Sequence, residues 1–307
     1  MCIALISTAH PSYPLIVINN RDEYLRRPTA HVNWWQEPNS HVLGSRDLAR
    51  PDQGTWMGVT KQGRIAVLTN YRENAPIGTC SRGAIVNGFL TMPPQSEKST
   101  RQFVVDMIES NMAKKAGGFS LVCGKINEPL AIVSNRMSHV DGITWIAKEK
   151  GETVGLSNTV FGDRSWPKIT EGERLMDAAI KAHVESGEGE DALIRRLLDV
   201  LSTDTLPPSA AKAPKEVYEP LLKNSIFIPV IGDGEENATE IPTTTNGGQQ
   251  SELMAYMHGL YGTQKQTVLL VSHDGRVKYF ERTLYDHNAK AIPIGKGDRV
   301  FEFTIEQ

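Results

Sequence analysis

Four strand-like segments are apolar almost without interruption: 15–19 (LIVIN), 64–70 (RIAVLTN), 225–230 (SIFIPV) and 267–272 (TVLLVS). Successive side chains of a strand point to opposite faces, so a run without alternation needs cover on both. The turn signals around these runs argue for antiparallel pairing. A Pro-containing turn separates 2–7 from 15–19, Lys61-Gln62-Gly63 joins two β-rich runs within 55–70, and Asp274-Gly275 reads as a type I′ hairpin turn. Helical patterns arrive in blocks rather than after each strand. Two antiparallel sheets stacked face to face, each backed by helices, satisfy both constraints. The expected fold is therefore α+β, a four-layer αββα sandwich forming one domain over 1–307. A single helix-covered α+β sheet fits the pattern nearly as well.

Further strands are expected at 119–124, 130–134, 143–147, 225–232, 277–285 and 299–306. Helices are expected at 82–90, 101–115, 171–186 and 191–202, with a short one near 215–223. The apolar stripe Leu193, Ile194, Leu197, Leu198 and Leu201 has helical spacing. Residues 233–252, polar and rich in Gly, Thr and Asn, read as a flexible surface insertion.

Composition excludes several functions. With 33 basic and 36 acidic side chains the net charge is −3, which offers no broad attraction to nucleic acid or an anionic membrane. Three cysteines (Cys2, Cys80 and Cys123) make no disulfide framework and have no metal-ligand spacing, which points to a reducing compartment. Cys123 reads as a buried small hydrophobe and Cys80 as a loop thiol. No signal peptide is recognisable at the start, and no stretch approaches the roughly 20 apolar residues that span a bilayer. A cytoplasmic setting is expected. Phosphate-loop, dinucleotide-binding, zinc-protease and serine-hydrolase motifs are missing, and the eight histidines lack metal-binding spacing. No metal or cofactor is expected.

The position of Cys2 is informative. Initiator methionine is normally trimmed before a residue this small, which leaves a thiol on its own α-amine. With an α-amine pKa of about 7.7–8.0, one residue then supplies both nucleophile and base. Asn19-Asn20-Arg21-Asp22-Glu23 follows the second strand, and a hairpin returns that end beside Cys2. A cation there lowers a thiol pKa, and the carboxylate can accept from the α-ammonium or orient the arginine. Asn70 and Asn158 end strand-like segments, where a side-chain amide can donate to an oxyanion or, equally, simply form a turn. Trp34, Trp35, Trp56 and Trp145 are candidates for an apolar pocket, and core packing is the commoner use of such residues.

Taken together, Met1-Cys2-Ile3, Asn20-Arg21-Asp22-Glu23, Gly54-Thr55-Trp56-Met57-Gly58-Val59, Leu68-Thr69-Asn70-Tyr71-Arg72, Gly155-Leu156-Ser157-Asn158, Tyr261-Gly262-Thr263 and Phe280-Glu281-Arg282 resemble the NRDE family, that of the Transport and Golgi organisation protein 2. The resemblance runs from residue 2 to about 305. It implies a relation to N-terminal-nucleophile hydrolases, with Cys2 as nucleophile, Arg21 and Asp22 as its partners, and Asn70 and Asn158 as oxyanion or α-amine contacts. Asn20, Trp56, Tyr71 and Arg72 become candidate substrate contacts. It also implies roles in Golgi organisation, secretion and lipid or haem handling, at cytoplasmic, Golgi or mitochondrial sites. The ligand class is then a small amide, an acyl lipid or haem. One departure stands out: Gln264 replaces the arginine usual in the family's Tyr-Gly-Thr-Arg motif. Simple strand alternation places Lys265 on the opposite face, unable to replace that charge.

Overall fold

The computed structural model describes residues 1–71, 81–110, 112–137, 139–209, 213–232, 256 and 258–306. Arg72, Cys80 and the expected insertion at 233–252 lie outside the described residues.

The strands form two sheets in which every recorded pairing is antiparallel. In chain order they are β1 (Ile3–Ser7), β2 (Leu15–Tyr24), β3 (Thr29–Trp34), β4 (Val42–Asp47), β5 (Met57–Thr60), β6 (Arg64–Asn70), β7 (Phe119–Lys125), β8 (Leu130–Ser134), β9 (Thr144–Ile146), β10 (Thr153–Leu156), β11 (Tyr261–Val271), β12 (Arg276–Thr283) and β13 (Asp298–Thr304). One sheet runs β10-β1-β2-β11-β12-β13; the other is the meander β3 to β9. The helices are α1 (Arg82–Leu90), α2 (Thr100–Glu109), α3 (Met112–Lys115), α4 (Pro167–Ser186), α5 (Glu190–Leu201) and α6 (Lys215–Tyr218).

Three apolar layers show why the strand runs are continuous. Ala4, Ile6, Leu15, Val17, Leu269 and Val271 meet Val59, Ile65, Val67, Val122 and Ile132 between the sheets. The alternate residues Ile3, Leu5, Ile16, Ile18, Val268 and Leu270 pack outward against Met176, Ile180 of α4 and Leu193, Leu197, Leu201 of α5. Ala66, Leu68, Leu121 and Val133 pack against Ile85, Val86 and Phe89 of α1 and Val104, Met107 of α2. The architecture is a four-layer αββα sandwich, with apolar side chains covering both faces of each central strand. Cys123 is one such core residue, and burial pushes its thiol up to about 12.

Four local readings fail. The turn at Asp274-Gly275 is not type I′, which needs positive φ at both residues: only Gly275 has it, and its N–H donates to Ser272 O. Residues 225–232 form no strand; Ser225 to Ile231 run as irregular chain joined to β11 by the bridge of Ile231 to Tyr261 and by Thr263 N–H donating to Ile228 O. Ile226 packs under α5 while Ile228 and Ile231 join a separate cluster with Met1, Tyr218 and Leu222, and Pro229 lacks a ladder donor. The helix expected over 101–115 is two, α2 and α3. Strand β3 went unread because it is a sheet edge with mixed exposure, so its apolar pattern is weak, and β4 went unread because its apolar run is only Val42-Leu43.

Two packing features have measurable consequences. Gly83 of α1 lies so close to Gly54 that a Cβ on Gly83 would stand 2.8 Å from the Gly54 Cα. Gly83→Ala is expected to destabilise the fold by about 1–3 kcal/mol through forced separation of backbone, checked by denaturant midpoint. Behind the first sheet, Ser12 N–H donates to His10 Nδ1 at 3.0 Å, so neutral His10 carries its proton on Nε2 and donates to His183 Nδ1, also 3.0 Å away. His183 Nε2 then donates to Gly189 O at 3.2 Å. Burial, then the neighbouring His183, lowers the His10 pKa from 6.5 to about 4. The unfolded chain therefore binds the extra proton first, and this contribution to stability is present above pH 6.5 and lost as pH falls toward 4. The midpoint should decline over that window, less so in His10→Gln.

Candidate functional site

The pairing of β1 with β2 places Ile3 opposite Asn20 and Ala4 opposite Asn19. One step earlier, Cys2 lies opposite Arg21, and alternation turns both toward the space between the sheets, on the face of Ala4 and Val17. Cys2 is buried; its Sγ lies 3.7 Å from Asp22 O, and its carbonyl accepts from Ser157 Oγ at 2.7 Å. Burial pushes the thiol up, partly offset by the terminal ammonium and by Arg21.

Arg21 is buried against Trp56, its guanidinium carbon 4.6 Å from the ring centroid. Its Nη2 donates to Asp47 Oδ2 at 2.7 Å, and its Nη1 donates to Gln264 Oε1. Arg27 Nε also donates to Asp47 Oδ2 at 2.7 Å. Burial alone would raise the Asp47 carboxyl, but Arg21 and Arg27 outweigh it and hold it below the usual range.

Asp22 points to the opposite, helix-covered side. Its Oδ1 accepts from Thr263 Oγ1 at 2.7 Å. Its Oδ2 is approached by the Met1 ammonium at 3.4 Å and by Lys168 Nζ at 3.7 Å, yet accepts no well-formed hydrogen bond from the described residues. The Met1 ammonium donates to Tyr261 Oη, and Lys168 donates to Met1 O at 2.6 Å. Burial lowers the pKa of both ammonium groups against the pull of Asp22. Burial also raises the Tyr261 phenol well above its ordinary value.

The asparagines divide. Ala4 pairs with Leu156, so Asn158 lies across from Cys2, and its buried Oδ1 has no hydrogen-bond partner among the described residues. Thr69 Oγ1 donates to Ser157 O at 3.0 Å, which brings the end of β6, with half-buried Asn70, beside the end of β10. Asn20 is placed apart from the thiol. Its Nδ2 donates to Leu201 O and Ile226 O on the helix side, fastening α5 and the following chain. Tyr71 stacks under Arg136, whose guanidinium carbon is 4.0 Å from the ring centroid.

The expectation for Lys265 is corrected. Thr263 pairs with Asp22 and Lys265 with Arg21, so Gln264 is an extra residue in a β-bulge. The bulge resets the alternation and turns Gln264 and Lys265 both toward the second sheet. Gln264 Nε2 donates to Leu25 O and Arg27 O, while Lys265 Nζ reaches Glu281 Oε1 and Thr283 Oγ1, each at 2.9 Å.

Lys168 escaped sequence reasoning, although a signal was available. It is the second residue of α4, after Pro167, where a cation opposes the helix dipole and calls for a compensating anion. Asp22 is that anion. Arg82, at the start of α1, also went unnoticed; burial lowers its pKa, and its electrostatic neighbours include Glu23 and Cys2.

The layer order is that of a four-layer αββα sandwich of two antiparallel sheets, with Cys2 leading into β1, an inner strand of the first sheet. The chain belongs to the Transport and Golgi organisation 2 family, which it matches over residues 1–286. It is 26% identical over 308 residues to the human Transport and Golgi organization protein 2 homolog, covering 96% of this chain and 94% of that protein. It is also 26% identical over 328 residues to the uncharacterized Saccharomyces cerevisiae protein YGR127W, covering 99% and 100%. Among solved structures, a mutant conjugated bile acid hydrolase from Clostridium perfringens aligns over 100% of this chain and 97% of its own, at 10% identity and a TM-score of 0.43.

Proposed function

We propose that this protein, once Met1 is removed, is an amidohydrolase acting on a small amide through Cys2. The thiol attacks the amide carbon and forms a C–S bond while its proton passes to the Cys2 α-amine. That proton goes on to the leaving amine as the C–N bond breaks, and water then cleaves the thioester to release the acid and restore the thiol. Arg21 stabilises the thiolate, Asp22 accepts from the α-ammonium, and Asn158 with Asn70 donates to the oxyanion. Trp56 and Tyr71 contribute to the substrate wall. The single observation carrying this reading is the β1–β2 register, which sets the buried Cys2 across from Arg21 and beside Asp22, whose Oδ2 is open to a further donor.

The intact mass of the purified protein, followed by labelling with a thiol-directed probe, tests it. A mass lacking Met1 with rapid labelling at Cys2 supports the mechanism; a fully retained Met1 ends it.

A second reading is a non-catalytic carrier for an acyl lipid or haem, or a trafficking factor in Golgi organisation and secretion, residing in the cytoplasm with Golgi or mitochondrial association. Two observations favour it: burial pushes the Cys2 thiol up, and neutral Gln264 stands against Arg21. No described helix is long and apolar enough to cross a membrane. Full complementation of a deletion by Cys2→Ala selects this reading over the first.

A further inference from the structure

The residue preceding Cys2 occupies a built place. Burying an ammonium group is costly unless it is paired and hydrogen-bonded, yet the Met1 ammonium is buried, 3.4 Å from Asp22 Oδ2 and bonded to Tyr261 Oη. Its carbonyl accepts from Lys168 Nζ at 2.6 Å. Its side chain joins Tyr218, Leu222, Ile228 and Ile231 in an apolar cluster separate from the three main layers. Ammonium, carbonyl and apolar side chain each have dedicated partners, drawn from β2, α4, β11 and the 213–232 segment.

A carbonyl bonded to the Cys2 nitrogen and one bonded to the Cys2 sulfur hang from the same residue, two and three bonds from its Cα. An acyl group on the thiol can therefore enter the place that Met1 leaves. We infer that this place is an α-aminoacyl subsite, and that the substrates are small amides of an apolar L-amino acid with a free α-ammonium. Asp22 and Tyr261 read the ammonium and the Tyr218–Ile231 cluster takes the side chain, while the carbonyl oxygen of the thiol-bound acyl group is left to Asn158 and Asn70. The inference rests on the amidohydrolase reading for its chemistry, while the subsite itself is testable without turnover. Hydrolysis of such an amide consumes one water and yields the free amino acid and the amine.

The test uses the full chain with Met1 removed, verified by mass, as wild type and as Cys2→Ala. Calorimetry with L-methioninamide, D-methioninamide and N-acetyl-L-methioninamide should show binding of the first to Cys2→Ala, with the other two at least tenfold weaker. Tyr261→Phe, which keeps the ring against Tyr24, should weaken L-methioninamide and leave the N-acetyl compound unchanged. Equal binding of the free and acetylated amides, or no binding of either, overturns the subsite. Binding by Cys2→Ala with no hydrolysis by wild type upholds the subsite and refutes the hydrolase. Hydrolysis of N-acylated amides in preference to L-methioninamide upholds the hydrolase and refutes the subsite.

Discussion

Cys2→Ala is expected to lower turnover of a cleavable amide by at least about a thousandfold, the scale of losing a covalent nucleophile, and to abolish labelling at residue 2, read by peptide mass so that Cys80 is counted separately. The thermal midpoint should move little, because Cys2 contributes only a small side chain near the end of a core strand. Two alternatives give different results. If Cys123 were the reactive thiol, labelling would persist in the variant, yet that group is fully buried with its pKa pushed up to about 12. If the protein were a carrier, the variant would retain both ligand and cellular function. Comparing Cys2→Ala with Cys2→Ser separates nucleophilicity from packing, since serine keeps the shape and loses most of the reactivity.

The largest stability effect should come from the buried pair Lys265–Glu281, each about 1% exposed and 2.9 Å apart. Glu281 Oε1 also accepts from Val32 N at 3.0 Å, and its Oε2 accepts from Ser45 Oγ, so this carboxylate of β12 clamps β3 and β4 of the facing sheet. Removing one partner leaves an uncompensated charge between the sheets. Lys265→Met is expected to cost about 3–5 kcal/mol, and Glu281→Leu a similar amount, measured by urea unfolding. The double variant Lys265→Met/Glu281→Leu should cost clearly less than the sum, because neither charge is then stranded. Additive losses would show that the two side chains act independently.

The αββα layering was legible because it follows from local pattern. Continuous apolar runs at 15–19, 64–70 and 267–272 demand two covered faces, and Gly63 and Gly275, both at positive φ, mark the hairpin turns between neighbouring strands. The Cys2–Arg21–Asp22 neighbourhood was legible for a related reason: a hairpin brings the end of one strand to the start of its partner whatever the rest of the chain does. The segment 225–232 misled because apolar content reports burial and not ladder pairing; its isoleucines are buried in two different clusters.

What the amino-acid sequence determined alone was the periodicity of each strand, the turns between neighbours, and hence the pairing that sets Cys2 across from Arg21. Only the tertiary structure decided which long-range partners complete the site. Lys168 reaches Asp22 and the Met1 carbonyl from a helix far along the chain, Tyr261 caps the ammonium, and Asp47 arrives from the opposite sheet. The bulge at Gln264 likewise reversed the face of Lys265. The physical reason is range: alternation and turns act over a few neighbouring residues, whereas ion pairing and a one-residue slip in register depend on where distant strands and helices come to rest.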